Sequence, residues 1–533
     1  MQKNYFHLKR INFFYIALII FTCSLPLSEF MVSASSGLLL LTAWSEDNCI
    51  NKLNRIKQRK LILFMPAIFL IYLISPLITG NGETVVYDLR KALFFIILPL
   101  AFLPAKEISS KQKQTIVVLF IGAVLAAVIY ALLNWKIFSA GQHLHIHNSG
   151  LITHIRFSFQ MVMAIWFLIF IMLRNFNFKN RDIILYTVVT LIVITGFLFL
   201  QQSLTGIIAF LISIVFVLFI SVFSVKGTLK YLFLTGILLI VILPVIYVAC
   251  IAYPFYFPEK VEKNNLPKTT GNGNYYMHDT ENLLIENGKY VYLYVCEDEM
   301  REEWNKLSAL KYDSLDQYGY TIKSTLLRYL TSKGLTKDAA GVHALTTSDI
   351  QNVENGVSNY LFKEKKWPLF SRIYKSVWEF YVYTKLRYVN NQSLSQRIEF
   401  SRAALLIIKE NFWFGVGPGN WKQAFFDAYK KLDSNLDENY YASSHNQYLN
   451  YLVKFGIFGF LLIMFFIIYP VVKSKRYRDP LFLIFLIFMF IANFADSNFE
   501  SHMGSSFFVF FYCFFLIADG TEYLSFRQKT KPK

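Results

Sequence analysis

The feature that most constrains this chain is the recurrence of long apolar runs. A helix needs about 20 mostly apolar residues to cross the hydrocarbon core of a bilayer. Twelve stretches approach that length: 12–27, 30–45, 61–79, 90–104, 115–135, 157–173, 183–200, 204–223, 231–253, 449–471, 481–497 and 503–518. Backbone in lipid must satisfy its own hydrogen bonds, so such runs fold as helices. The expected architecture is an all-α polytopic membrane protein with about 12 transmembrane helices. Only 17% of residues are charged, against about 25% in soluble domains, which excludes an ordinary cytosolic enzyme. Residues 11–45 read as a helical hairpin. No small-residue cleavage site marks a signal peptide there, and Ser35, Ser36 and Gly37 supply the small side chains that close helix packing uses.

The net charge of +18 would suggest a nucleic-acid partner in a soluble protein. Its placement argues otherwise. Segments 1–11, 46–60, 105–114, 174–182, 224–230, 472–480 and 519–533 hold 24 Lys/Arg against 7 Asp/Glu. The short loops of the opposite set contribute as bases only Arg90, Lys91, Lys136 and Arg156. By the positive-inside tendency the basic set faces the cytoplasm, with both termini. Membrane lipids, and no nucleic acid, are the partners this pattern implies. The five cysteines form no CxxC and no ordered set of pairs, so neither a disulfide framework nor a zinc site is read from them.

Between the ninth and tenth runs lies a 194-residue polar segment, 254–447, with 24 basic and 23 acidic residues. The organisation expected is therefore a nine-span bundle over 1–253, a large external loop over 254–447, and three spans with a basic tail over 448–533. The loop reads as folded and mainly helical. A strand is expected over 288–295 after an Asn287-Gly288 turn, with helices over 297–310, 321–333 and 371–388. The Pro/Gly/Asn-rich stretch 258–275 reads as a linker. An amphipathic helix over 396–412 ends at Phe414-Gly415-Val416-Gly417-Pro418-Gly419. No repeat of 20–50 residues is visible. A large outer loop suits an enzyme working at the membrane surface better than an ion channel.

The chemistry-bearing residues cluster near that surface. Ser444-His445-Asn446-Gln447-Tyr448-Leu449 enters the tenth run. A neutral imidazole is a natural general base for a sugar hydroxyl, with Asn446 beside it to hold the ring or a substrate hydroxyl; the plainer alternative is an interfacial histidine. Arg156 and Arg90 stand at the outer mouth of the bundle, and Arg397 and Arg402 on the 396–412 helix. Guanidinium groups placed there against the positive-inside tendency suit a phosphate, or else snorkelling or an ion pair such as Arg90 with Asp88. His143, His145 and His147, with His154 nearby, have spacing that a metal can use, but no carboxylate or cysteine accompanies them, and they read as a polar outer loop with no metal assigned. Gly415–Gly419 lacks the Lys-Ser/Thr of a P-loop and follows a helix, so it reads as a chain-reversing turn.

Together these residues resemble the O-antigen ligase and O-antigen polymerase superfamily, whose pattern is matched by Gln396-Arg397, Phe414–Asn420, His445-Asn446-Gln447-Tyr448-Leu449 and Gly456-Ile457-Phe458-Gly459. The specific match spans about 397–460. Weaker echoes are Thr153–Ser158, Ser203–Gly206 and Asp496–Gly504, and 280–360 looks like an insertion seen in Bacteroidota members. Two departures stand out: Leu204 occupies the place of an arginine, and Lys454 that of a glutamate, in many relatives. The resemblance implies a GT-C-like, metal-independent inverting glycosyltransferase of the bacterial inner membrane, without cofactor, with its large loop periplasmic. It would move a glycan from an undecaprenyl-diphosphate carrier to an acceptor such as lipid A-core. On that pattern His445 is the base. Arg397, Arg156, Arg90 and Arg402 bind diphosphate, and Asn446, Tyr448, Gly417 and Gly419 position substrate. A ligase is the leading expectation. A polymerase, a protein O-oligosaccharyltransferase and, from another class, a flippase of the lipid-linked glycan stay open.

Overall fold

The computed structural model describes residues 12–80, 82, 84–138, 150–175, 181–262, 265–316, 319–365, 367–518 and 524. His143, His145 and His147 fall outside them. The chain forms two compact units: one of residues 1–234, 399–434 and 438–533, the other of 235–398 and 435–437.

Among the described residues, seven helices are long and apolar enough to span a membrane: Lys60–Thr79, Ser110–Trp135, His154–Asn175, Arg181–Leu200, Leu204–Val222, Thr228–Tyr256 and Gln447–Lys473. The other expected spans form shorter helices. Phe13–Ser24 has 12 residues, Glu29–Ser45 has 17, and Pro480–Ala495 and His502–Ile517 have 16 each. At 1.5 Å per residue these reach about 18–26 Å, less than a hydrocarbon core of about 30 Å. The 90–104 run is divided between Val85–Ala92 and Phe94–Phe102, which ends just before Leu103-Pro104. The expectation of about 12 spans thus becomes seven full-length helices plus shorter apolar ones. This is the architecture of a polytopic membrane protein.

Residues 11–45 contain two helices, with Ser28 accepting the Met31 N–H at the start of the second. The centre of the first unit is His502–Ile517, buried continuously from Met503 to Phe515. A helix apolar all round belongs inside a bundle, and this one stacks aromatic rings on its neighbours, Phe21 with Phe510 and Phe482 with Phe515 among them.

The second unit is mainly helical. The expected 297–310, 321–333 and 371–388 helices occur as Glu297–Leu307, Ile322–Lys333 and Pro368–Leu386. The expected strand is much shorter: Lys289–Tyr290 pairs with Ile285–Glu286 across Asn287-Gly288, whose φ angles of 49° and 83° make the tight turn. Trp304, Tyr312, Leu326 and Val342 centre one core, and Tyr374, Trp378 and Tyr381 another. Inside this unit Asp349 is worth noting. Burial raises its pKa, but Lys333, Tyr329 and Thr346 outweigh that and hold the carboxyl at about 2. The folded pKa is lower than an unfolded aspartate's, so the contribution is present above the ordinary carboxylate range and is lost as pH falls through it towards 2. Asp349→Asn is expected to remove that acid dependence, read as a flatter unfolding midpoint between pH 5 and about 2.

Candidate active site

Helix Gln447–Lys473 begins at a well-made cap. The Asn446 carboxamide oxygen accepts the N–H groups of Tyr448 and Leu449 at 3.0 and 3.2 Å, satisfying donors that a helix start otherwise leaves open. The segment is then stitched to the chain after Pro480–Ala495. Ser444 Oγ donates to Asn450 Oδ1 at 2.6 Å, Asn450 Nδ2 to Ser497 Oγ at 2.7 Å, and Phe499 N to Gln447 Oε1 at 2.8 Å. Tyr448 O–H donates to the Phe490 carbonyl at 2.7 Å. Asn446 and Tyr448 therefore spend these groups on the backbone that holds their neighbour His445.

His445 has φ +48°, a left-handed conformation uncommon outside glycine. It sets the imidazole against Phe400, ring centroids 5.6 Å apart, with Nδ1 facing Asp496 Oδ1 at 3.5 Å. The buried Asp496 takes Arg156 Nη2 on its other oxygen at 2.8 Å. The His445 side chain is 42% exposed and that of Arg156 21%. The geometry is a chain from guanidinium to carboxylate to imidazole, with Nε2 the ring nitrogen not turned to Asp496. A carboxylate on Nδ1 favours the tautomer with its proton there and Nε2 free to accept one.

Next to Arg156, a Cβ on Gly206 would overlap the Ser158 side chain. Helix Leu204–Val222 therefore packs closely on helix His154–Asn175 at Ser158. Of the other arginines, Arg90 is exposed on Val85–Ala92. Arg402 pairs with Glu399 at 2.6 Å, whose other oxygen accepts from Ser434. Arg397 belongs to the second unit. There burial pushes the Glu379 carboxyl up, while Leu394 N–H and the charges of Arg372, Lys375 and Arg397 pull it down.

The Gly-rich turn is explained by backbone crossing. Val416 N and Gly417 N donate to the carbonyls of Val453 and Lys454, both at 2.8 Å, and Ile457 N donates to Phe412 O at 2.8 Å. Gly456 breaks the helix with φ +60°, and a Cβ there would strike the Trp413–Phe414 backbone. Gly417 packs on Thr79 and Gly419 on the Gly82 backbone. The turn thus docks on two membrane helix ends, consistent with a chain reversal and not with a phosphate cradle. Gly456→Ala is expected to cost about 1–3 kcal/mol through strain and overpacking, seen as a lower thermal midpoint in detergent.

Below the turn sits an arrangement that the separate residues do not reveal. Lys454 Nζ lies 3.1 Å from Asp88 Oδ1 and 2.9 Å from Glu500 Oε2. Tyr72 O–H donates to Glu500 at 3.0 Å and Trp421 Nε1 to Asp88 at 3.0 Å. All three charged groups are buried. Asp88, considered at first as a partner for Arg90, instead faces Lys454. The available signal was acids at the edges of apolar runs, since an ionisable group there points to function or a buried partner.

Residues 340–464 match the Wzy_C family model, described as O-antigen ligase. The match covers less than a quarter of the chain and includes the Gly-rich turn, His445 and the kinked helix start. No curated protein matches the chain.

Proposed function

We propose that this protein is a membrane glycosyltransferase of the O-antigen ligase type, which moves a glycan from undecaprenyl diphosphate to an acceptor hydroxyl, with lipid A-core the leading acceptor. The observation that carries the reading is the Arg156–Asp496–His445 chain, whose histidine lies within the family match at the start of a membrane helix. The acceptor oxygen attacks the anomeric carbon as its proton passes to His445 Nε2. The bond from that carbon to the phosphate oxygen breaks, and its electron pair leaves with the lipid diphosphate. The configuration inverts. Asp496 holds the ring and offsets the charge the imidazole gains. Arg156 serves the departing diphosphate, and Arg397, Arg90 and Arg402 are the further cations that the family pattern offers for it. Fixed cations facing developing negative charge are the principal means of accelerating such a departure, so no metal is required. The large loop faces the periplasm on this reading.

Reconstitution of the purified protein with lipid-linked glycan tests it. Transfer to lipid A-core, unaffected by EDTA, is the expected result. Glycan extended on its carrier would make the enzyme a polymerase, and glycan on a protein hydroxyl an O-oligosaccharyltransferase. Movement of intact carrier across the bilayer without transfer would make it a flippase and overturn the assignment.

A further inference from the structure

The helices that present His445, Arg156 and Asp496 carry something else at their opposite ends. His154–Asn175 runs from Arg156 to Arg174, Gln447–Lys473 ends just before Lys475, and Pro480–Ala495 starts after Asp479 and finishes before Asp496. These far ends meet the starts of Lys60–Thr79 and Ser110–Trp135 around a cavity of about 740 Å³ within the first unit. At 1.5 Å per residue, the 18 residues from Arg156 to Arg174 set the cavity about 27 Å from the imidazole site. It is a separate feature, at the other membrane surface.

Its lining is strongly basic. Arg174, Lys475 and Arg478 are exposed at the rim, Arg59 and Arg476 are half-buried, and Lys113 is buried. Against these six cations stand two acids, Glu107 and Asp479. One Asp479 oxygen is occupied in capping its helix through the N–H groups of Leu481 and Phe482. Arg59 is pinned by carbonyls, donating to Phe102 O at 2.8 Å and Ala105 O at 2.7 Å, acceptors with no formal charge to offset its own. The positive-inside tendency accounts for bases in loops. It does not account for four separate chain segments bringing them to one hollow, nor for burying one of them. Beside the cations the wall is apolar, with Leu61, Ile62 and Leu516. Cations above an apolar wall at a helix-end level match an amphiphile whose charged part is a phosphate.

We propose that this cavity binds the phosphate headgroup of an anionic phospholipid, with the bases on the phosphate and the apolar wall against the start of the acyl chains. A soluble phosphate compound shares the first half of that chemistry but not the second. The test uses the full-length protein in detergent, with native mass spectrometry and thermal unfolding after addition of phosphatidylglycerol, cardiolipin, phosphatidylcholine or inorganic pyrophosphate. Anionic lipids should be retained and raise the unfolding midpoint, and phosphatidylcholine and pyrophosphate should do neither. Arg174→Gln combined with Arg478→Gln should weaken retention at least tenfold. Lys57→Gln with Lys111→Gln, an equal charge loss at exposed positions outside the cavity, should leave it unchanged; should the first pair fail to fold, Lys475→Gln alone provides the comparison. Equal retention of phosphatidylcholine, or equal loss in both pairs, would overturn the proposal, and so would displacement of lipid by pyrophosphate.

Discussion

His445→Asn should fold, insert and lose transfer by about 10²–10⁴-fold, the range a positioned general base contributes. Asparagine is the informative replacement because of the backbone. His445 sits at φ +48°, where a β-carbon costs about 1–2 kcal/mol and asparagine is among the few residues that tolerate the strain. An alanine variant would mix that strain with loss of the base; asparagine removes the base alone. Turnover in reconstituted vesicles gives the chemistry, and the unfolding midpoint shows that the helix start is intact. Retained turnover in a folded His445→Asn protein would remove the base assignment. A companion change, Asp496→Asn, keeps the shape of the buried carboxylate but not its charge. It should lower turnover, and carrier affinity to the extent that the Arg156 pairing with Asp496 orients that guanidinium.

The apolar runs made the helices legible, because a membrane helix announces itself in consecutive residues. What they could not convey was which runs would reach across. The division of 90–104 into Val85–Ala92 and Phe94–Phe102, and the 12 residues of Phe13–Ser24, depend on where local turns form. The short β-pair after Asn287-Gly288 is a similar case: the turn chemistry was readable, but residues beyond Tyr290 find their hydrogen bonds elsewhere, Val295 with Met277 and Cys296 with Lys337. At the site, His445 and Arg156 stood out as a base and a cation in unusual places. Asp496, 51 residues from His445, opened only a weak echo of the family pattern, and nothing local in the sequence joins it to the imidazole. The same holds for the asparagine whose expected substrate contact is, for its side-chain oxygen, a helix cap.

Removing Lys454 should have the largest effect on stability. Its ammonium is the only cation within ion-pair distance of Asp88 and Glu500 among the described residues, and both carboxylates are buried. Lys454→Met keeps the length and apolar stem of the side chain and deletes only the charge. Two acids are then left facing each other away from water, and breaking a buried pair from one side costs about 3–5 kcal/mol. The Trp421 ring, hydrogen-bonded to Asp88 and 5.1 Å from the same ammonium, would lose its cation–π partner as well. The expected result is a protein that accumulates poorly and unfolds at a much lower temperature. Adding Asp88→Asn and Glu500→Gln to Lys454→Met should recover most of the loss, because amides can still hydrogen-bond Trp421 and Tyr72 without a buried charge. If the neutral triple variant is as unstable as the single one, the three charges do not act as a unit. If it is stable and transfers glycan at the normal rate, the lysine in the place of a glutamate serves the fold and not the reaction.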